Sequence, residues 1–266
     1  MTRGLVRLAR LYFIQAWFAY RSLFAWSTPF NYISSKLGFP FFSMLMFIFI
    51  GKFVGLNDPI YIVIGNILLL PSLNGIYGIS MTVGNERQFG AMTYLLGSPA
   101  PRAPLFLGRA LFHILDGFIT VAVALPIAIL VFNLNISQVN LLLLLLCLVL
   151  LSFTTTGIGF IMGTISLVSR DGWMYTTTLG LFLYLLIGVN FPVESLPGFM
   201  QMMSWGLPMT RGIIAARMVL NGSGWADVSA LIGGEILVGL LYIVIGYTLF
   251  RLVERASMNT GSLDSI

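Results

Sequence analysis

The sequence predicts an all-α integral membrane protein with six transmembrane helices. Of its 266 residues 58% are hydrophobic and only 9% are charged, whereas a soluble domain carries about 25% charged residues. Several apolar runs also exceed the ~20 residues that a helix needs to cross a bilayer. A membrane barrel would show alternating segments of about ten residues instead of long solid runs. One membrane domain accounts for the chain, with no room for a second folded one. Cys147 is the only cysteine and lies inside Leu141–Leu151, so no disulfide within the chain and no cysteine metal cluster can form. No cleavable-signal pattern shows, because Arg21 interrupts the first apolar region and no small-residue cleavage site follows.

Residues 1–28 read as an amphipathic helix lying in the membrane interface. Arg3, Arg7, Arg10 and Arg21 fall close together on a helical wheel, while Leu5, Leu8, Leu11, Tyr12, Ile14, Trp17, Phe18 and Phe24 supply apolar surface elsewhere. Trp26-Ser27-Thr28-Pro29 ends it. The six-helix domain occupies 29–253. Its first span runs from about Tyr32 to Phe53, with Lys36 and Lys52 able to snorkel. After the turn at Asn57-Asp58-Pro59 the second runs from about Ile60 to Val83, and its Gly65, Pro71, Gly75 and Gly78 predict close helix packing and a kink. The third runs from about Pro104 to Phe132, the fourth from Val139 to Val168 and the fifth from Trp173 to Val189. Pro192, Pro197 and Pro208 break residues 190–224 into pieces too short to span. Phe199–Trp205 and Arg211–Leu220 read as two short helices that dip into the membrane or lie on it. The last span covers about Ala226 to Phe250, and 254–266 is a polar tail.

Six spans put both termini on one side. Eleven of the fourteen Lys and Arg residues fall on that side, and Lys52, Arg211 and Arg217 opposite. The positive-inside rule therefore places the termini in the cytoplasm, together with the loop between the second and third spans. That loop, Gly84 to Arg109, gathers Glu86, Arg87, Arg102 and Arg109 around Pro99, Pro101 and Pro104. Glu86–Leu96 reads as a short surface helix, stopped by the prolines.

Residues 85–102 of this loop, NERQFGAMTYLLGSPAPR, resemble the coupling-helix signature of the type-2 class of ABC exporter permeases. Glu86, Arg87, Gly90, Leu95, Leu96 and Pro99 match that pattern, while Gln88 and Ala91-Met92 depart from it. The segment Phe191-Pro192-Val-Glu194-Ser-Leu-Pro197, followed by Trp205 and Pro208-Met-Thr-Arg211, resembles the re-entrant region before the last span of the same class. The resemblance implies a type-V exporter fold with a coupling helix at about 85–99. It also implies a homodimer of permeases in a bacterial inner membrane, docked on two ATPase subunits that hold ATP and Mg. The ATPase-coupling residues would be Glu86, Arg87, Phe89, Gly90, Tyr94, Leu95, Pro99 and Arg102.

The residues themselves argue against chemistry on this chain. A phosphate-binding loop needs G-x-x-x-x-G-K-[ST]. Gly51-Lys52 is followed by Phe53, and Met46 stands where the first glycine should be. No cofactor, metal or catalytic group is expected here, and no nucleic acid; membrane lipids and the ATPase are the partners. The single His113, with Asp116 and Arg109 on one face of the third span and Glu235 in the last, forms the one set of intramembrane ionisable groups. It would serve helix packing, or an ion site were the protein a secondary transporter or a membrane enzyme or scaffold. Phe41, Phe42, Met44, Met46, Phe182 and Tyr184 are the candidate lining of a path for an amphipathic or hydrophobic substrate: a drug, an antimicrobial peptide or a lipid-linked molecule. Polysaccharide exporters of the class should show dense aromatic and basic signals near the N-terminus, and here the basic residues are spread out.

Overall fold

The computed structural model describes residues 10–14, 17–18, 21, 28–53, 55, 59–88, 90, 94, 97, 102–132, 137, 139–169 and 171–260. Eight α-helices have bounds set by these residues, and no strand occurs among them. They are α1 (Pro29–Phe53), α2 (Pro59–Gln88), α3 (Arg102–Phe132), α4 (Leu141–Val168), α5 (Gly172–Leu186), α6 (Gly198–Gly206), α7 (Thr210–Leu220) and α8 (Trp225–Thr260), with a 3-10 turn at Val193–Ser195 before α6. The described residues between 10 and 21 are helical, and Phe13, Trp17 and Phe18 among them are exposed.

Four helices are long and apolar enough to cross a membrane, at Ile60–Gln88, His113–Phe132, Leu141–Val168 and Trp225–Met258, and Phe41–Phe53 is a shorter apolar stretch within α1. The chain is therefore an all-helical protein built for a membrane. The fifth span expected to reach Val189 is a 15-residue helix ending at Leu186. At 1.5 Å per residue it measures about 22 Å, less than the ~30 Å hydrocarbon core. It stops because Gly188 takes φ +74°, a left-handed geometry that ends a helix.

Two other boundaries move. α2 was expected to end near Val83 with a separate helix starting at Glu86, but it runs on to Gln88. Nothing between Val83 and Gln88 breaks a helix, and the stop is Gly90 at φ +69°, whose N–H donates to the Arg87 carbonyl at 3.0 Å. Glu86 and Arg87 therefore belong to the last turn of α2. The expected tail from 254 begins inside α8, which continues to Thr260. Pro71 and Pro126 lie inside α2 and α3 without ending them.

α2 lies between α3 on one side and α4 on the other, and also meets α1, α5 and α7; α8 packs on the far side of α4. Val63, Leu68, Leu69, Ile76 and Val83 of α2 are all fully or almost fully enclosed. Small residues permit this packing. A Cβ on Gly159 would lie 2.6 Å from the Gly75 carbonyl oxygen of α2, and one on Gly157 would lie 2.6 Å from the Ile243 nitrogen of α8. Two faces of α4 thus bring two neighbouring backbones close, the arrangement by which helices associate in lipid. The glycines that predicted close packing in α2 act in the same way: Gly75 sits under Thr155, and Gly78 under the ring of His113.

Gly159→Val should force α2 away from α4 and cost about 1–3 kcal/mol by overpacking. Thermal unfolding in detergent should show a lowered midpoint for it, and an unchanged or raised one for Gly38→Ala, where a Cβ meets nothing within 4 Å. Equal midpoints for Gly159→Val and the parent would contradict the close approach.

Candidate functional site: a coupling end, an apolar cleft and a deep turn

The alternating helices create two ends. One end, called the coupling end after the resemblance of residues 85–102, holds the C-termini of α2 and α4 and the N-termini of α3 and α5. The opposite end holds the α1–α2 and α3–α4 connections and the segment between α5 and α8.

At the coupling end a cavity of about 510 Å³ opens between α2, α4 and α5. Asn85, Arg87 and Gln88 line it from α2, Ser166 and Ser169 from α4, and Trp173 from α5. Its inner wall is polar: the Ser80 hydroxyl lies 2.6 Å from that of Thr176 and 3.2 Å from that of Ser166. Arg87 turns into this space and donates to the Ser166 carbonyl at 3.4 Å. The side chain follows α2, so Arg87, one of the expected coupling residues, stands between helices at this end of the bundle. Beyond Gln88, Tyr94 is helical and 84% exposed. Phe89, Leu95 and Pro99 lie outside the described residues, as does the side chain of Arg102.

Between α1 and α5, towards the opposite end, lies an apolar cleft of about 610 Å³. Met46, Phe47 and Ile50 line it from α1, Leu181, Tyr184 and Leu185 from α5. Phe47 stacks on Tyr184 with centroids 6.0 Å apart. Two of the six expected path residues, Met46 and Tyr184, come together here. Met44 does not, since it points into the core and is 4% exposed. Phe41, Phe42 and Phe182 are not part of the lining. Phe42 and Phe182 are exposed on the surface, and Phe41 packs edge-on against Phe42.

The segment between α5 and α8 turns deep between its neighbours. At the start of α7 the Met209 N–H donates to Glu235 Oε1 at 2.7 Å and the Gly212 N–H to Oε2 at 3.1 Å, while the Thr154 hydroxyl donates to Oε1 at 2.7 Å. Glu235 stands ten residues inside α8 and Thr154 thirteen inside α4, so the turn reaches about 15–20 Å down from the helix ends. Met209 has φ +104°, the single non-glycine with positive φ among the described residues. Such backbone costs of order 1–3 kcal/mol, and here it aims an otherwise orphaned N–H at the carboxylate. At the outer rim Arg217 of α7, 8% exposed, donates to the carbonyls of Tyr61 (2.6 Å), Gly188 (3.1 Å) and Val189 (2.6 Å), and its guanidinium lies 3.5 Å from the Tyr61 ring centroid. It joins the end of α5 to the start of α2.

An ABC-2 type transporter family model matches residues 12–221, which span α1 to α7. The chain belongs to the ABC-2 type transporter family. It is the permease component of an ABC-type transporter, an integral membrane protein that partners an ABC ATPase subunit. No curated protein matches it.

Within this permease the intramembrane acids do not form one site. His113 sits between α3 and α2, with Nε2 3.2 Å from the Thr82 hydroxyl. The same hydroxyl donates to the Gly78 carbonyl at 2.6 Å. Asp116 is buried one turn further along α3. Glu235 lies beyond α4, in the other packing seam. The sequence offered Glu235 as a member of a set with His113 and Asp116, and Arg217 as one of three basic residues on the side away from the termini. It could not offer their partners, which are backbone groups far away along the chain.

Glu235→Ala should leave the Thr154 hydroxyl and two backbone N–H groups without their acceptor, at about 1–3 kcal/mol for each buried group. Hydrogen exchange should quicken at Met209 and Gly212 and the thermal midpoint should fall, with Glu235→Gln intermediate because one carbonyl oxygen remains. Unchanged exchange at both amides in the alanine variant would remove Glu235 from its capping role.

Proposed function

We propose that this permease is the transmembrane subunit of an ATP-driven exporter. Two copies form a homodimer of six-span units, and each docks an ATPase subunit at its coupling end. The ATPase holds ATP and Mg, and the permease performs no chemistry of its own. The substrate is an amphipathic or hydrophobic molecule, such as a drug, an antimicrobial peptide or a lipid-linked compound, carried out of the cytoplasm or the inner leaflet. The membrane is the bacterial inner membrane, with both termini cytoplasmic.

The observation that carries this reading is the course of α2. It is unbroken from Pro59 to Gln88, its middle is enclosed on all sides, and the coupling stretch follows from its foot. A push on that stretch therefore moves the helix that the others pack against. The apolar cleft between α1 and α5 supports the substrate class. Its walls offer aromatic and Met side chains, with few polar groups to hold a sugar or an ion.

Tyr94 is large, exposed and in the coupling stretch, the type of side chain that anchors an interface at ~2 kcal/mol or more. Tyr94→Ala should leave the permease folded but weaken copurification of the ATPase, or uncouple hydrolysis from export. Recruitment and export at parental rates would make the stretch a tether.

Orientation is tested separately. In a Cys147→Ser background, cysteines at Ser137 and Gly222 should react with an impermeant thiol reagent from outside, and one at Gly97 should not. The reverse pattern would place the coupling end away from the ATPase.

A further inference from the structure

We propose that the cavity at the coupling end is a binding site for an anionic amphiphile, with Arg87 holding the charged headgroup. Four observations point there. The space is about 510 Å³, enough for a headgroup and the first part of a chain. Arg87 is the one charged side chain among its described lining residues. Its guanidinium is a fork of donors suited to phosphate or carboxylate oxygens, and its neighbours Asn85, Gln88, Ser166 and Ser169 add neutral polar groups.

The cavity is also graded along its depth. Arg87 and Gln88 stand at the foot of α2, and Ser80, seven residues deeper, lies about 10 Å further in. On the side of α5 the wall is Trp173, 59% exposed, and Met81 of α2 is a further apolar part of the lining. An indole at the first turn of α5 is placed where aromatic side chains meet a membrane interface. A molecule can therefore set its charge against Arg87 while its chain leaves past Trp173 and Met81 towards lipid. A bare anion would use the first half of this surface only, and a neutral lipid the second.

The same chemistry has two sources, a phospholipid of the cytoplasmic leaflet or the exported molecule itself. That the cavity faces the cytoplasm rests on the exporter reading; the binding does not. Gly84 provides an independent handle. It lines the cavity, and a Cβ there would sit 3.8 Å from the Ser166 Cβ, ordinary contact. A larger side chain at 84 can extend into the space without removing the charge of Arg87.

The experiment titrates purified full-length permease, in a neutral detergent and without ATPase, with radiolabelled dodecyl phosphate. Saturable binding is expected, weakened about tenfold in Arg87→Gln and in Gly84→Leu, and held within about threefold in Arg87→Lys. Inorganic phosphate and dodecyl maltoside, each at the probe's concentration, should not displace it. Absence of saturable binding, or binding unchanged in both Arg87→Gln and Gly84→Leu, would overturn the site. Displacement by inorganic phosphate would overturn the amphiphile. In phosphatidylcholine nanodiscs, competition by added phosphatidylglycerol assigns the occupant to the leaflet. Lack of competition assigns it to a single-chain cargo. Binding that persists where the ATPase-loaded complex exports nothing would sink the exporter reading and leave the site standing.

Discussion

The approach of α2 to α4 is the contact on which the rest of this protein depends. In lipid no hydrophobic force pulls one helix to another, because the tails are as apolar as the side chains. Association must come from close fit. Gly75, Thr155 and Gly159 supply it by letting one backbone lie on the other, and Gly157 repeats the device towards α8. With α4 clamped on both faces, α2 becomes the axis of the molecule. One of its ends meets Arg217 through Tyr61, and the other carries Arg87 into the cavity.

The buried charges follow from the same shortage of water. A helix end inside a membrane leaves backbone groups that cannot be hydrated. Glu235 meets the N–H groups at the start of α7, and Arg217 meets the carbonyls after α5. The two residues act as tertiary caps of opposite sign, each placed where the helix dipole favours it. The same logic explains why the segment from Gly188 to Gly224 can leave the helical ladder at depth. Side-chain bonds at the breaks replace those that the backbone gives up.

Much of this was legible in the residues. α6 and α7 lie within a residue of their expected bounds because Pro197 and Pro208 mark both. α3 and α4 were visible as long apolar runs. The glycines of α2 announced close packing, and the packing is there. What could not be read has a common physical cause. The last turn of α2 is polar, and polar residues after an apolar run look like a new element, although nothing in Gly84–Gln88 breaks a helix. Composition could not separate Met44, which points into the core, from Met46, two residues on and facing the cleft. Tertiary neighbours decide that. Glu235 and Arg217 find their partners across long stretches of chain, where a single sequence carries no signal. The family match covers residues 12–221, the stretch that holds both recognisable motifs.

The length of α8 has a consequence of its own. At 36 residues it measures about 54 Å, against a hydrocarbon core of ~30 Å. No reasonable tilt absorbs that difference, so several turns must stand clear of the bilayer. They emerge at the end where α2 delivers its coupling stretch, and they are not bathed in water on every side. Glu254, held by Arg251 at 2.5 Å, is fully enclosed, and Ser257 nearly so. The protruding stem is therefore braced by protein. The end of the bundle that holds the foot of α2 thus carries a protruding helix whose inner face is packed and whose outer face is free to be wetted.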